Sequence, residues 1–260
     1  MNDETQKRLI VDQFTRQAAP FAEFRAHSAE DSMALVREVA QIGPGDRVLD
    51  LACGPGLVAC DFAAHALHVV GLDLTPAMID QARALQQSKG LENLAWHVGD
   101  VDALPFDAAS FSVAFTRYSF HHLLEPAKAL AEMVRVTEPG GRVVVVDVYS
   151  SSPEQGEAYD RAERLRDPSH VRALGLGELT SLFVRAGLTG PSIVFYKLDV
   201  DLDSLLAASF PEPGAADEVR SLFAEDLGRD RLGVNARRDE HGAIQFSFPL
   251  AVLVGRKLAA

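Results

Sequence analysis

The sequence predicts an open α/β sheet, doubly wound by helices on both faces, and three features of the chain predict it. Short apolar runs rich in β-branched residues alternate with helical stretches between residues 45 and 150. A glycine-rich turn, Ala52-Cys53-Gly54-Pro55-Gly56, directly follows the first of these runs. Polar residues, Asp50, Asp73, Asp100 and Thr116, stand at or just after the ends of successive runs. Strand–helix–strand units at this spacing pair as parallel strands through right-handed crossovers. Such sheets take ligands beyond the carboxyl ends of their strands, where the strand order reverses. The four polar residues are therefore expected along one edge.

In chain order, the first 40 residues read as helical, with Phe14, Phe21, Phe24, Met33, Leu35, Val36 and Val39 on apolar faces. The first strand is expected at Arg47–Leu51, followed by a helix from Leu57 to His65. The second strand is His68–Asp73, and a helix follows over Pro76–Lys89. Thr75 is placed to cap it, and Pro76 falls at the first helical position, where its missing N–H costs nothing. Strands are expected at Leu94–Val98 and Phe111–Phe115, and a helix at Pro126–Val136 that stops before Pro139-Gly140-Gly141. Arg142–Val148 contains VVVVDV, the continuous apolar run of a strand buried on both faces. Beyond it, Ala158–Arg166 and Glu178–Ala186 read as helices, and Ile193–Leu198 and Ala243–Val254 as strands. The intervening stretch of about 200–242 is acidic and helical, broken at Pro211-Glu212-Pro213-Gly214.

Composition narrows the function. The 260 residues carry 25 Lys and Arg against 37 Asp and Glu, a net charge of −12, so a general nucleic-acid-binding surface is disfavoured. The N-terminal MNDETQKRLIVDQF lacks the apolar stretch of a secretory signal, and no apolar run spans a membrane, so the chain reads as cytoplasmic. Cys53 and Cys60 have neither zinc-knuckle nor dithiol spacing and are expected to be reduced thiols.

The glycine turn lets backbone pass close to a nucleoside-bearing ligand, although a tight strand-to-helix connection needs the same residues. Asp73, ending the second strand, suits a ribose diol. From Gly54 the string is Gly-Pro-Gly-Leu-Val-Ala, so Ala59 stands where a dinucleotide fingerprint has its third glycine, and Asp50 precedes the turn. A carboxylate there repels a pyrophosphate and attracts a sulfonium or an ammonium. At Gly99-Asp100-Val101, Asp100 is placed to accept from an adenine amino group while the Val101 backbone N–H meets the ring; as a lone residue Asp100 would be a solvated turn Asp.

VLDLACGPG, VVGLDLTPAMIDQAR, GDVDALPFDAASFSVAF and HHLLEPAKALAEMVRVTEPGGRVVVVD together resemble the class I S-adenosylmethionine-dependent methyltransferases. The nearest flavour is the ubiquinone/menaquinone-biosynthesis-like group of small-molecule methyltransferases. The resemblance covers about residues 45–150, with RDPSHVRAL and FPLAVLVGRK as further similar segments. It implies a Rossmann-like sheet of seven strands, mostly parallel, with the last strand inserted antiparallel. It also implies a helical segment over 1–40 acting as a lid. The methyltransferase domain would then be 41–260, with insertions at about 151–174 and 200–242 over the substrate pocket. S-adenosyl-L-methionine is the implied cofactor. Asp50 with Ala52, Cys53, Gly54 and Gly56 would hold its methionine part, Asp73 its ribose, Leu74 and Met78 the faces of its adenine, and Asp100 with Val101 the adenine edge. Ala52 departs from the glycine usual at the head of the turn, which is tolerable if its φ is negative.

Methyl transfer from a sulfonium depends on proximity, alignment and desolvation, and a base helps only where the acceptor is protonated. Thr116-Arg117-Tyr118-Ser119-Phe120-His121-His122 follows the fourth strand, beside the transferred methyl in this fold. His121 or His122 is expected as general base, His121 ahead because it comes first; the alternative for either is a helix cap or packing against the cofactor. Neighbouring side chains point to different sides, so joint action, or metal chelation, is not expected. Arg117 binds an acidic substrate group or pairs with a strand-end carboxylate, and Tyr118 and Phe120 are pocket wall or core. Phe14, Phe21 and Phe24 close the pocket or simply pack. His170 is a second base candidate, or a solvated loop residue.

The leading reading is an enzyme that methylates O, N or C of a small organic acceptor. The rivals are an NAD(P)-dependent oxidoreductase and a non-catalytic S-adenosylmethionine-binding protein. The expected partner is a small-molecule acceptor, without nucleic acid or stable membrane insertion, on a monomer or homodimer.

Overall fold

Four consecutive valines, Val143 to Val146, are fully buried, and they alternate between two cores. Val143 and Val145 pack with Leu130, Met133, Leu179 and Phe183, whereas Val144 and Val146 pack with Val58, Phe62 and Phe115. This is the period of two expected of a strand covered on both faces. Withdrawing each valine from water contributes roughly 1.5–3 kcal/mol. The strand belongs to a sheet in a computed structural model that describes residues 2–23 and 30–259. Phe24 lies outside the described residues.

The sheet-forming half begins after helices α1 (Asp3–Glu23) and α2 (Glu30–Ala40). It runs β1 (Arg47–Leu51), α3 (Leu57–Ala63), β2 (His68–Asp73), α4 (Pro76–Lys89), β3 (Leu94–Val98) and β4 (Phe111–Arg117). A 3-10 turn at Phe120–His122 leads to α5 (Pro126–Val136) and β5 (Thr137–Ser150). The second half comprises α6 (Pro153–Arg166), β6 (Leu174–Gly175), α7 (Leu176–Arg185), β7 (Ser192–Asp201), α8 (Leu202–Ser209), α9 (Ala215–Asp226), β8 (Arg237–Arg238) and β9 (Ile244–Arg256).

Seven strands lie in the order β3-β2-β1-β4-β5-β9-β7, with the two-residue β6 and β8 attached to β5 and β9. β9 is antiparallel to both neighbours, and β1, β2, β3, β4 and β5 are mutually parallel. The order reverses at β1, between β2 and β4, and sheets of this kind take ligands in the crevice at such a point, here beyond Leu51.

Several boundaries differ from expectation for identifiable reasons. α6 starts at Pro153 rather than near Ala158, because Ser152 accepts from the Gln155 N–H at 3.3 Å and Pro153 occupies the first turn. β5 begins at Thr137, and its register against β4 shifts between Phe111 and Val113, which absorbs the Pro-Gly-Gly segment. Thr75 occupies the N-cap position of α4, but its hydroxyl makes no cap hydrogen bond; the Thr75 N–H instead donates to Asp73. A third core, with Tyr159, Leu205, Phe223 and Phe246, joins α6, α8 and α9 to the ends of β7 and β9. Among the described residues no helix is long and apolar enough to cross a membrane.

Candidate active site

The turn between β1 and α3 is a run of left-handed backbone. φ is 51° at Ala52, 52° at Gly54 and 79° at Gly56. The condition under which an alanine is readily tolerated there, a negative φ, is thus not met. An alanine there costs roughly 1–2 kcal/mol relative to an unstrained conformation, and the buried β1 and α3 on either side impose it. At Gly54, which lines a cavity, an added Cβ would meet nothing within 4 Å. At Gly56 it would lie 2.7 Å from the Trp96 ring, so Gly56 serves close packing and is not part of the cavity wall. Asp73 ties the turn to the end of β2: one carboxylate oxygen accepts from the Gly54 N–H at 2.9 Å, the other from the Thr75 N–H at 2.8 Å.

This turn floors a cavity of about 1100 Å³ at the switch point. Asp50, Ala52, Cys53, Gly54 and Asp73 form one side, and Leu74, Met78, Asp100 and Val101 form an apolar slot with an acidic edge on the other. Asp50 is buried, and one of its oxygens has no hydrogen-bond partner. Burial pushes its carboxyl up to about 8; Arg117 opposes the shift and Asp73 adds to it. Gln6, from α1, also lines the cavity and also holds a buried, unpartnered oxygen, while its amide donates to the His122 and Ser169 carbonyls. Two orphaned acceptors on one cavity fit a cationic hydrogen-bond donor such as an α-ammonium group. Lys7, one position along α1, reaches across to Asp100 at 2.6 Å. Cys53 and Cys60 are free, and burial, reinforced by the charge of Asp73, holds the Cys53 thiol protonated.

Gly99 and Thr116 are not on the wall. Thr116 donates to the Leu51 carbonyl at 2.8 Å and accepts from the Ser119 hydroxyl at 2.6 Å, bracing the strand ends from behind. The Arg117 guanidinium lies over the Tyr118 ring at 4.7 Å and lines the cavity near Asp50. Tyr118 itself has φ 60°, an uncommon conformation for so large a residue, and this re-aims the chain where β4 ends.

A second cavity of about 720 Å³ adjoins the first, and Phe14, Phe21, Tyr118 and His122 line both. His121 faces only the second. Its Nδ1 is 2.6 Å from Asp147 Oδ1, and since an ionised carboxylate can only accept, Nδ1 carries the proton and the Nε2 lone pair is left free. The other Asp147 oxygen accepts from the Ser119 and Phe120 N–H groups at 3.1 and 2.6 Å. Burial opposes ionisation of Asp147, but the attraction and hydrogen bond of His121, with backbone donors, outweigh it and hold the carboxyl below its usual range. For His121, burial favours the neutral ring, yet Asp147 and the charges of Glu163 and Asp167 raise its pKa above the ordinary value.

His122 differs. Burial and repulsion by His121 push it down to about 3, so its ring is neutral. It points Nδ1 at the Ser169 carbonyl at 3.1 Å and packs edge-on against Phe14. The expectation that the two side chains diverge is overturned, because they sit in a 3-10 turn rather than a strand: the rings are 4.3 Å apart. His170 is neither solvated nor on either cavity wall. It is buried behind His121, with Nε2 2.8 Å from Asp160. Phe120 is core, not pocket wall. No group of side chains among the described residues is placed to hold a metal ion.

Sequence reasoning missed Asp147, the Gln6–Lys7 pair and the cluster of Glu163, Arg166 and Asp167. Asp147 had a legible signal: a lone acid inside a valine run is a buried charge that requires a partner.

Residues 49–145 match the methyltransferase domain family. An uncharacterized methyltransferase of Bacillus subtilis, YcgJ, is 32% identical over 229 residues, covering 84% of this chain and 90% of that protein. The chain belongs to this methyltransferase family and is a class I S-adenosylmethionine-dependent enzyme. The crystal structure of YcgJ superposes with a TM-score of 0.81 at 28% identity, covering 88% of this chain and 99% of that one. A demethylmenaquinone methyltransferase of Clavibacter sepedonicus is 35% identical over 121 residues, 46% of this chain and 48% of that protein. The 1,6-didemethyltoxoflavin-N1-methyltransferase of Burkholderia thailandensis, with bound 1,6-didemethyltoxoflavin and S-adenosylhomocysteine, shares the fold: TM-score 0.63 and 18% identity, over 99% of this chain and 91% of that one.

Proposed function

We propose that the first cavity binds S-adenosylmethionine, that the second binds a small organic acceptor, and that His121 is the general base between them. The observation that carries this reading is a buried, partnerless Asp50 oxygen beneath a turn of positive-φ backbone, next to a cavity onto which a His–Asp pair opens. When bound, the cofactor supplies a methyl group already activated on a sulfonium.

The chain's own residues do the rest. Asp50 and the Gln6 carbonyl take the ammonium, whose arrival supplies the donors these oxygens lack. Asp73, pinned by two backbone N–H groups, has lone pairs left for ribose hydroxyls. Leu74, Met78 and Val101 enclose the adenine. Asp147 holds the His121 ring in one tautomer and makes Nε2 more basic, so that Nε2 accepts the acceptor's proton at near-neutral pH. His122, neutral beside it, adds no second positive charge where a sulfonium must sit. α1, through Phe14 and Phe21, walls both cavities and excludes water, the role of a lid over a domain that starts near residue 41. A nicotinamide dinucleotide is not favoured, since Asp50 would face its pyrophosphate.

Calorimetry tests the cofactor assignment. S-adenosylhomocysteine should bind, and NAD should not. Asp73→Ala should weaken S-adenosylhomocysteine at least about tenfold, because charge-assisted hydrogen bonds of roughly 1.5–3 kcal/mol each are lost. Unchanged affinity in a folded Asp73→Ala protein overturns the ribose assignment.

A further inference from the structure

The second cavity is built asymmetrically. Its flank is apolar, formed by Val148, Leu198, Leu205, Phe248 and Leu250 from β5, β7, α8 and β9. Its inner end carries Glu163, Arg166 and Asp167 beside His121. Arg166 would serve as an anion receptor if it were available, but its guanidinium is already engaged. It pairs with Glu163 through two nitrogens and donates to the Ser209 hydroxyl through the third at 2.9 Å. Asp167 gives one oxygen to the backbone and hydroxyl of Ser169, at 2.9 and 2.6 Å. Asp147 is covered by His121 and backbone N–H groups.

With His121 neutral, as a base must be, the charged groups lining this end are Glu163 and Asp167 against the single guanidinium of Arg166, and Asp147 lies behind His121 as a third carboxylate. Lys7 and Arg117, the other cations of the site, line the first cavity and not the second. A carboxylate or phosphate on the acceptor would therefore enter a low-dielectric pocket of its own sign without a cation to meet it, a juxtaposition that costs several kcal/mol. A cationic acceptor is disfavoured for a different reason. It would sit beside the sulfonium, and a protonated amine has no lone pair to accept a methyl group. A neutral hydroxyl matches both features: it donates to the free His121 Nε2, while the rest of the molecule lies against the apolar flank.

Resting on the two-cavity reading, we propose that the second cavity selects an uncharged, largely apolar acceptor bearing an acidic hydroxyl, with Glu163 and Asp167 as the residues that exclude anions. Phenols and enols belong to this class. The inference separates acceptors by charge, which the cofactor site does not do.

The test uses the full chain saturated with S-adenosylhomocysteine, with calorimetry reading the binding of two probes, 1-naphthol and 1-naphthoate. Naphthol should bind at least about tenfold more tightly than naphthoate. Ala208→Trp, at a half-buried position on the cavity wall, should fill the space and abolish naphthol binding while leaving S-adenosylhomocysteine affinity intact. Asp167→Asn should narrow the gap between naphthol and naphthoate, with its melting temperature confirming that it folds. Naphthoate binding as tightly as naphthol overturns the proposal, as does naphthol binding that survives Ala208→Trp, or no naphthol binding at all. Failure of S-adenosylhomocysteine itself to bind would instead overturn the cofactor reading, and the two failures are read on different titrations.

Discussion

His121 and His122 are adjacent and chemically identical, and their surroundings drive them in opposite directions. Asp147, with Glu163 and Asp167 behind it, raises the first against the effect of burial; burial and the neighbouring imidazole depress the second. Only a neutral His121 can accept a proton. Activity should therefore fall on the acidic side, as pH drops through a value above the ordinary 6.5. His121→Ala should lower turnover roughly 10²–10⁴-fold with nearly unchanged S-adenosylhomocysteine affinity, the signature of a group acting in the transition state. Asp147→Asn keeps the imidazole but removes the charge that raises it, so the acidic limb of kcat/KM should move to lower pH as turnover falls. An unmoved limb would leave Asp147 a structural residue. Of these proposed roles, a base at His121 is the one the sequence already suggests, because a histidine just beyond β4 falls at the crevice. Asp147 was not assigned, because pairing it with His121 requires knowing that the ends of β4 and β5 adjoin.

At the scale of elements, α1 does what its sequence states only weakly. Its Phe14 and Phe21 rings meet edge-to-face at 6.2 Å and line both cavities. Gln13 and Gln17 donate to the Ser209 carbonyl at the end of α8, at 2.6 and 3.1 Å. Lys7 binds Asp100 and Asp3, each at 2.6 Å. These polar anchors hold the helix across both cavities, and under the proposed reading it must move to release the cofactor. The Lys7–Asp100 pair is partly exposed, so its contribution is that of a surface ion pair, roughly 0.2–1 kcal/mol. Lys7→Ala should therefore speed S-adenosylhomocysteine dissociation about two- to fivefold in stopped-flow measurements, with the melting temperature little changed. A slower dissociation would show that Lys7 competes with the adenine for Asp100 rather than holding α1 closed.

For the whole molecule, ligand binding and protonation are linked through Asp50. Its folded pKa, near 8, is above the usual carboxylate value of 3.8. A carboxyl raised in this way contributes its full stability below the unfolded value and loses it as pH rises through the folded one. In ligand-free protein, Asp50→Asn should thus melt progressively higher than wild type as pH is raised from about 4 to 8. Saturating S-adenosylhomocysteine should reverse that advantage, since the ammonium gives the ionised carboxylate its partner. At a ligand concentration about 100 times Kd the gain is about 2.7 kcal/mol, or roughly 5–10 °C in a chain of this size. Differential scanning fluorimetry across pH reads both effects, and parallel melting curves for the two proteins would remove Asp50 from ammonium binding.

By itself the sequence determined the order of strands and helices, the position of the glycine turn and the acids at strand ends. Each of these is a local pattern, set by residue periodicity, β-branching and the backbone freedom of glycine. The family resemblance added the antiparallel insertion of the last strand. Tertiary structure alone decided the left-handed φ of Ala52, which buried β1 and α3 impose against alanine's own preference. It decided that His170 is buried against Asp160 rather than solvated, because the loop after α6 folds inward. It also decided the charge of the second cavity, where Glu163, Arg166 and Asp167 of one segment meet His121, with Asp147 behind it. Charges so far apart in sequence act on each other only once folding has brought them within a few ångströms in a medium that screens them poorly.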